Sequence, residues 1–137
     1  MAGTIRLEVV TPEKAVVNEA AKIVVAPGTL GEFGVLPGHT TFLTTLKTGT
    51  IRYTDADGKD RYVFVSAGFA EALPDQVTVL AESAERRRDI DVERAKAALQ
   101  RAEQRLVEDR AKQQLDFTRA KAALERALQR IHLAETR

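Results

Sequence analysis

Apolar and polar residues alternate through the first 80 or so positions and then recur every three or four, so the chain changes secondary-structure type once. Ile5, Leu7 and Val9 fall on one side of an extended segment, with Arg6 and Glu8 on the other. Residues 23–26, 42–46, 51–54, 62–65 and 77–80 are further short apolar runs, separated by Gly, Pro, Asn and Asp. Asp55-Ala56-Asp57-Gly58 predicts a hairpin turn, and Pro74-Asp75 turns the chain before the last strand. Strands this short and this closely spaced predict a β-sandwich or a flattened barrel, which are the two ways of burying one apolar face per sheet.

No glycine or proline follows Pro74, and Ala, Leu, Arg, Glu and Gln take over near Glu82. Val92, Ala95, Leu99, Ala102 and Leu106 form one helical stripe, with Asp91 as its N-cap. Phe117, Ala120, Leu124, Ala127 and Ile131 form a second, with Asp116 ahead of it as cap. The segments 90–99 and 115–124 repeat one another at an offset of 25 residues. Alanine at alternate seam positions lets two helix backbones approach, so an antiparallel hairpin hides both stripes. The joint, residues 107–114, holds no helix breaker. Straightened, residues 91–135 make a rod of roughly 67 Å at about 1.5 Å per residue, and the hairpin reads as a two-state element. The expected division is therefore a β domain over 1–85 and a helical arm over 86–137.

Composition narrows the function. The 137 residues carry 44% hydrophobic and 30% charged residues and no cysteine, a foldable balance without disulfides or thiolate metal sites. Neither a signal-like leader nor a stretch of roughly 20 apolar residues is present, which predicts a chain not embedded in membrane. The net charge of +1 argues against nucleic acid as a partner. Residues 1–84 hold 7 Lys and Arg against 10 Asp and Glu, and residues 85–137 hold 14 against 10, so an acidic or phosphate-bearing partner suits the arm.

Catalytic motifs are absent: no Walker A loop, nucleophile elbow or His-Glu-x-x-His occurs, and His39 and His132 are the only histidines. A non-catalytic chain is expected. Arg94 and Arg101 share a helix face, as do Arg126 and Arg130. The four read either as a cradle for a polyphosphate or acidic side chains, or as a solvated surface balanced by Glu93, Glu103 and Glu125. The Arg86-Arg87-Arg88 triplet reads as a polar linker.

Four stretches together resemble the epsilon subunit family of the rotary F-type ATP synthase, called delta in mitochondria. They are Leu7 to Pro12, the Gly31-Glu32-Phe33-Gly34-Val35-Leu36-Pro37-Gly38-His39 run, Ser66 to Glu71 with Val77 to Leu80, and Ile90-Asp91-Val92-Glu93-Arg94-Ala95. The resemblance implies an α+β protein, a ten-stranded β-sandwich followed by an antiparallel two-helix hairpin. It implies a place in the central stalk, coupling the catalytic motor to the rotor ring, with gamma and the c-ring as partners. The hairpin would inhibit ATP hydrolysis by meeting the catalytic beta subunits. Glu32 and His39 would lie in a loop at the ring and stalk foot. The family's nucleotide motif falls on Ile90, Asp91, Arg94 and Ala95, with Glu85 ahead of it and Arg101, Arg126 and Arg130 as further arginines. No cofactor is required, and ATP is a regulatory ligand that holds the hairpin closed. The membrane is touched only through the complex, on the cytoplasmic face of a bacterial inner membrane or the stromal face of a thylakoid. A free-standing ATP sensor and a helical-hairpin adaptor are the rival readings; neither needs the Pro37-Gly38-His39 loop.

Overall fold

The computed structural model describes residues 3–108 and 114–136. They form two compact units, Met1–Arg87 and Arg88–Arg137.

The first unit is built from β1 (Ile5–Val10), β2 (Ala15–Gly28), β3 (Gly31–Val35), β4 (Phe42–Leu46), β5 (Gly49–Asp55), β6 (Asp60–Ala72) and β7 (Gln76–Arg86). Alternation does what it predicts: Ile5, Leu7 and Val9 are buried on β1, and Ile51 and Tyr53 on β5, with their neighbours in sequence turned away. The pairing closes on itself. β1 runs antiparallel to β2 and parallel to β7, β7 pairs with β6, β6 with β5, and β5 returns to β2. β3 and β4 extend this cycle, pairing with β2 and β6. Val17, Val24, Val35, Val63, Val65, Val77 and Val79 fill the interior with those residues, each removed from water almost completely. Full burial of one such aliphatic side chain is worth about 1.5–3 kcal/mol.

Among the described residues there are seven strands, not the ten implied by resemblance, and the difference is one of continuity. β2 takes β1 as partner up to Ala21 and β5 from Ala21 onward, with a bulge between Ala21 and Ile23 in the second pairing. β6 takes β5 over 60–65 and β4 over 68–72. At its turning point Ala67 has φ 36° and Gly68 φ 154°. The strand changes faces there, because Val63 and Val65 point inward before it and Ala70 and Ala72 after it. β7 changes with it, from Val77, Val79 and Ala81 to Ala84. Each of these three strands thus serves two walls as one unbroken run.

A second correction concerns residues 31–35. Two glycines conceal them as strand text, yet they form β3, held by pairing to residues 24–28 of β2. The Asp55 turn closes as its composition predicts. Asp57 N and Lys59 N each donate to Asp55 Oδ1 at 2.9 Å, and Gly58 takes φ 85°. Arg61 Nε donates to the other carboxylate oxygen at 3.0 Å.

A 3₁₀ turn (Arg87–Asp89) spans the boundary, and the second unit contains α1 (Val92–Glu108) and α2 (Gln114–Glu135). The stripes pack through small residues, with Ala95 and Ala102 of α1 and Ala120, Ala127 and Leu133 of α2 buried. Lys96, near the start of α1, lies 3.9 Å from Glu135 in the last turn of α2. α2 begins before Asp116, which therefore sits inside the first turn rather than capping it from outside. Most of the expected joint, residues 109–113, lies outside the described residues.

Candidate functional site

Three regions draw together the candidate residues. The first is the turn that follows β3. Leu36-Pro37-Gly38-His39 is a type II β-turn: proline supplies the fixed φ of its second position, Gly38 takes φ 81° at the third, and His39 N donates to Leu36 O at 3.1 Å. Gly38 N donates to Pro74 O at 2.7 Å, tying this turn to the one between β6 and β7. The imidazole of His39 is held by its Nδ1, 2.8 Å from Thr40 O, and by an edge contact with Phe42 at 5.3 Å between ring centres. Phe42 packs in turn edge-on against Phe33, at 5.1 Å. Glu32 is exposed, but on strand β3 opposite Pro27 rather than in a loop. Leu30, at the tip of the β2–β3 hairpin, is fully exposed, and Leu36 is 55% exposed.

The second region is the outer face of β4, β6, β7 and β1. The register sets Thr45 beside Phe69, Phe69 beside Leu80, and Leu80 beside Val10, with Leu43 next along β4 opposite Glu71. Phe69 is 53%, Leu80 54% and Leu43 69% exposed. With Pro12, Leu46 and Ala81, the Val10, Phe69 and Leu80 side chains border an open groove of about 620 Å³. Three large apolar side chains left in water on one face are unlike the scattered exposed leucines of an ordinary surface. Sequence reasoning did not separate them from the core. The available signal is the break in alternation at Val79-Leu80, where two large apolar residues in succession cannot both face inward.

The third region is the helix pair. Asp91 caps α1 as expected: its Oδ1 accepts from Arg94 N at 3.0 Å and its carbonyl from Ala95 N at 3.0 Å. Ile90 and Ala95 are buried, whereas Asp91, Arg94 and Arg101 are exposed and Arg126 and Arg130 half-buried. The Lys96–Glu135 pair sets Arg94 and Arg101 level with the C-terminal half of α2, from which Arg126 and Arg130 arise. Glu85 lies on β7, in the other unit. At the opposite end of the helix pair, Leu106, Val107, Phe117 and Leu124 border an apolar groove of about 490 Å³.

Beneath the β domain's exit is a polar network. Tyr53 donates to Glu19, Arg86 Nη1 donates to the Tyr53 hydroxyl at 3.1 Å, and Arg86 Nε donates to Val16 O at 3.1 Å. Burial, and then the acceptor Glu19, push the Tyr53 hydroxyl pKa up to about 12. The backbone N–H of Lys59 holds the Asp55 carboxyl below the usual carboxylate range, and against the opposing effect of desolvation Arg61 and the N–H of Asp57 add to it. Arg87 stacks over Tyr62 at 4.5 Å, so this member of the arginine triplet is held on the sheet. Among the described residues no cluster of three or more His, Asp or Glu is placed to hold a metal, and no helix is long and apolar enough to cross a membrane.

Residues 4–87 match the family description "ATP synthase, Delta/Epsilon chain, beta-sandwich domain", and residues 88–135 match "ATP synthase, Delta/Epsilon chain, long alpha-helix domain". The chain is similar to the ATP synthase epsilon chain of Desulforapulum autotrophicum, 66% identical over 108 residues that cover 79% of this chain and 80% of that one. It is similar to the epsilon chain of Nitratidesulfovibrio vulgaris, 54% identical over 112 residues, 82% and 83% of the two chains. Its fold is shared by a chain of the Euglena gracilis mitochondrial ATP synthase, solved as an OSCP/F1/c-ring assembly, with a TM-score of 0.76, 23% identity and coverage of 91% and 78%.

Proposed function

The chain belongs to the ATP synthase delta/epsilon family, and on that premise we propose that it is a non-catalytic central-stalk subunit whose β domain docks on gamma and the c-ring. The observation that carries this reading is the outer apolar face. Phe69, Leu80 and Leu43 stay in water in the isolated chain although each lies on a well-paired strand. A surface of this kind gains about 25 cal/mol per Å² of apolar area when a partner covers it. The Leu36–His39 turn and Glu32 supply the contacts at the ring and stalk foot. The complex brings the chain to the membrane as a peripheral subunit, on the cytoplasmic face in a bacterium.

The arm is the regulatory part of the proposal. The helices form an antiparallel hairpin, a reading supported by the Lys96–Glu135 pair, and opening it along gamma would bring its basic residues to the catalytic beta subunits and block hydrolysis. ATP would hold the closed form through Arg94, Arg101, Arg126 and Arg130. Supporting this are their common half of the helix pair and the capped start of α1 at Asp91. A ligand shifts such an equilibrium only by its differential affinity for the two forms.

The test is hydrolysis and binding by a catalytic complex with gamma but without its own epsilon chain, to which the full-length chain or Leu80→Glu is added. The wild-type chain should bind and lower hydrolysis, and Leu80→Glu should lose binding while melting as the wild type does. Equal binding by both removes the apolar face from the docking surface. Unchanged ATP affinity in Arg126→Ala would remove the arginine cradle.

A further inference from the structure

We infer that His39 presents a fixed hydrogen-bond acceptor to its docking partner, so that the group it meets is an N–H or O–H donor and not a carboxylate or a carbonyl. The inference rests on the docking reading above and adds to it the chemistry of one contact. Thr40 O, 2.8 Å from His39 Nδ1, is a backbone carbonyl and can only accept. The proton of the neutral ring therefore belongs on Nδ1, and Nε2 carries the lone pair. Among the described residues nothing bonds to Nε2.

The ring has little freedom to change this. The type II turn positions its backbone through His39 N to Leu36 O at 3.1 Å, and Gly38 N to Pro74 O at 2.7 Å anchors that turn to the neighbouring one. The face-to-edge packing of His39 on Phe42, and of Phe42 on Phe33, fixes the plane in which Nε2 points. A flip of the ring would lose the Thr40 bond and set a carbon against that carbonyl. An acceptor whose direction is set before the partner arrives pays little ordering cost on binding. It also rejects other acceptors, because burying two lone pairs against each other leaves both unsatisfied.

Two measurements test the inference. Nitrogen NMR of the full-length His132→Gln chain, in which His39 is the single histidine, should find the neutral ring protonated at Nδ1; protonation at Nε2 overturns the inference. Binding to the complex with gamma and the c-ring, without its own epsilon chain, is then compared for His39→Gln, whose amide oxygen reaches the place of Nε2, and for His39→Leu, which offers no acceptor. His39→Gln should bind within about threefold of wild type and His39→Leu about tenfold more weakly, one hydrogen bond's worth. Leu36→Glu tests whether this turn docks at all. If Leu36→Glu weakens binding while His39→Leu matches wild type, or if the Gln and Leu variants fall equally, the acceptor is refuted and docking stands. If Leu36→Glu and His39→Leu both bind as wild type, docking through this turn fails and the acceptor with it.

Discussion

Gly68→Ala tests the turning point of β6 most directly. An added Cβ would lie 2.0 Å from Leu80 O, 2.9 Å from Ala81 Cα and 3.0 Å from Leu80 C. All three are backbone atoms of the paired strand β7, so no flexible side chain can yield. An ordinary carbon–oxygen contact needs more than an ångström of further separation, and that displacement breaks the ladder where Gly68 faces Ala81. The φ of 154° adds backbone strain, since that region is essentially reserved for glycine. Strain of about 1–3 kcal/mol together with overpacking of about 1–3 kcal/mol gives a loss of about 2–6 kcal/mol. Against a domain stability of about 5–15 kcal/mol this is a large fraction, and the melt should fall by about 8 °C or more. Both tyrosines lie in the β domain and there is no tryptophan, so tyrosine fluorescence follows this unit separately from the helices. Gly34→Ala is the control, because its Cβ would meet nothing nearer than 3.9 Å. If Gly68→Ala melts within a degree or two of Gly34→Ala, the steric argument for the turning point is wrong.

Three further outcomes follow from the packing and the polar network. Tyr53 titrates at about 12 in the fold against 10.0 unfolded, so the neutral hydroxyl stabilises the fold in full below pH 10. That stability, about 2–3 kcal/mol, is lost as pH rises through 12; Tyr53→Phe should flatten this alkaline dependence in fluorescence-independent melts followed by far-UV ellipticity. Asp55 has the opposite sign: its lowered pKa contributes stability present above 3.8 and lost as pH falls through the folded value, and Asp55→Asn should remove that acid-side slope in urea titrations read by tyrosine fluorescence. Ala127→Leu, at a seam position with 1% exposure, should cost the helix pair about 1–3 kcal/mol in thermal ellipticity while leaving the tyrosine transition where it was.

What the sequence disclosed and what it hid have separate physical causes. β1 and β5 bury one face along their whole length, and their alternation is readable residue by residue. β6 is not readable in this way, because the inward face changes at Ala67 and Gly68 and buried residues run together from Val63 to Ser66. β3 escapes for a different reason: Gly31 and Gly34 are poor strand formers, and pairing to β2 overrides propensity. Asp91 was legible as a cap because an acceptor directly precedes a helical stripe, whereas α2 already includes Asp116, the acceptor expected ahead of it. The same limit governs the site. Leu80 and Phe69 look like core on any strand; the Val79-Leu80 doublet says that one of the two must face out, and the register says which. The turn at Pro37-Gly38-His39 was legible from its residue types, while the direction of the imidazole required its Thr40 and Phe42 neighbours.

The unbroken passage of β2, β6 and β7 from one wall to the other has a consequence for how the β domain fails. A sandwich of separate sheets can shed one layer at a time, but here three of the seven strands continue from one layer into the other, so neither layer can be shed whole. Opening either wall pulls on backbone that is paired in the other, so the amide protons of both should exchange through one common event with one free energy. Such a body behaves as a single rigid link under torque, yielding all together or not at all.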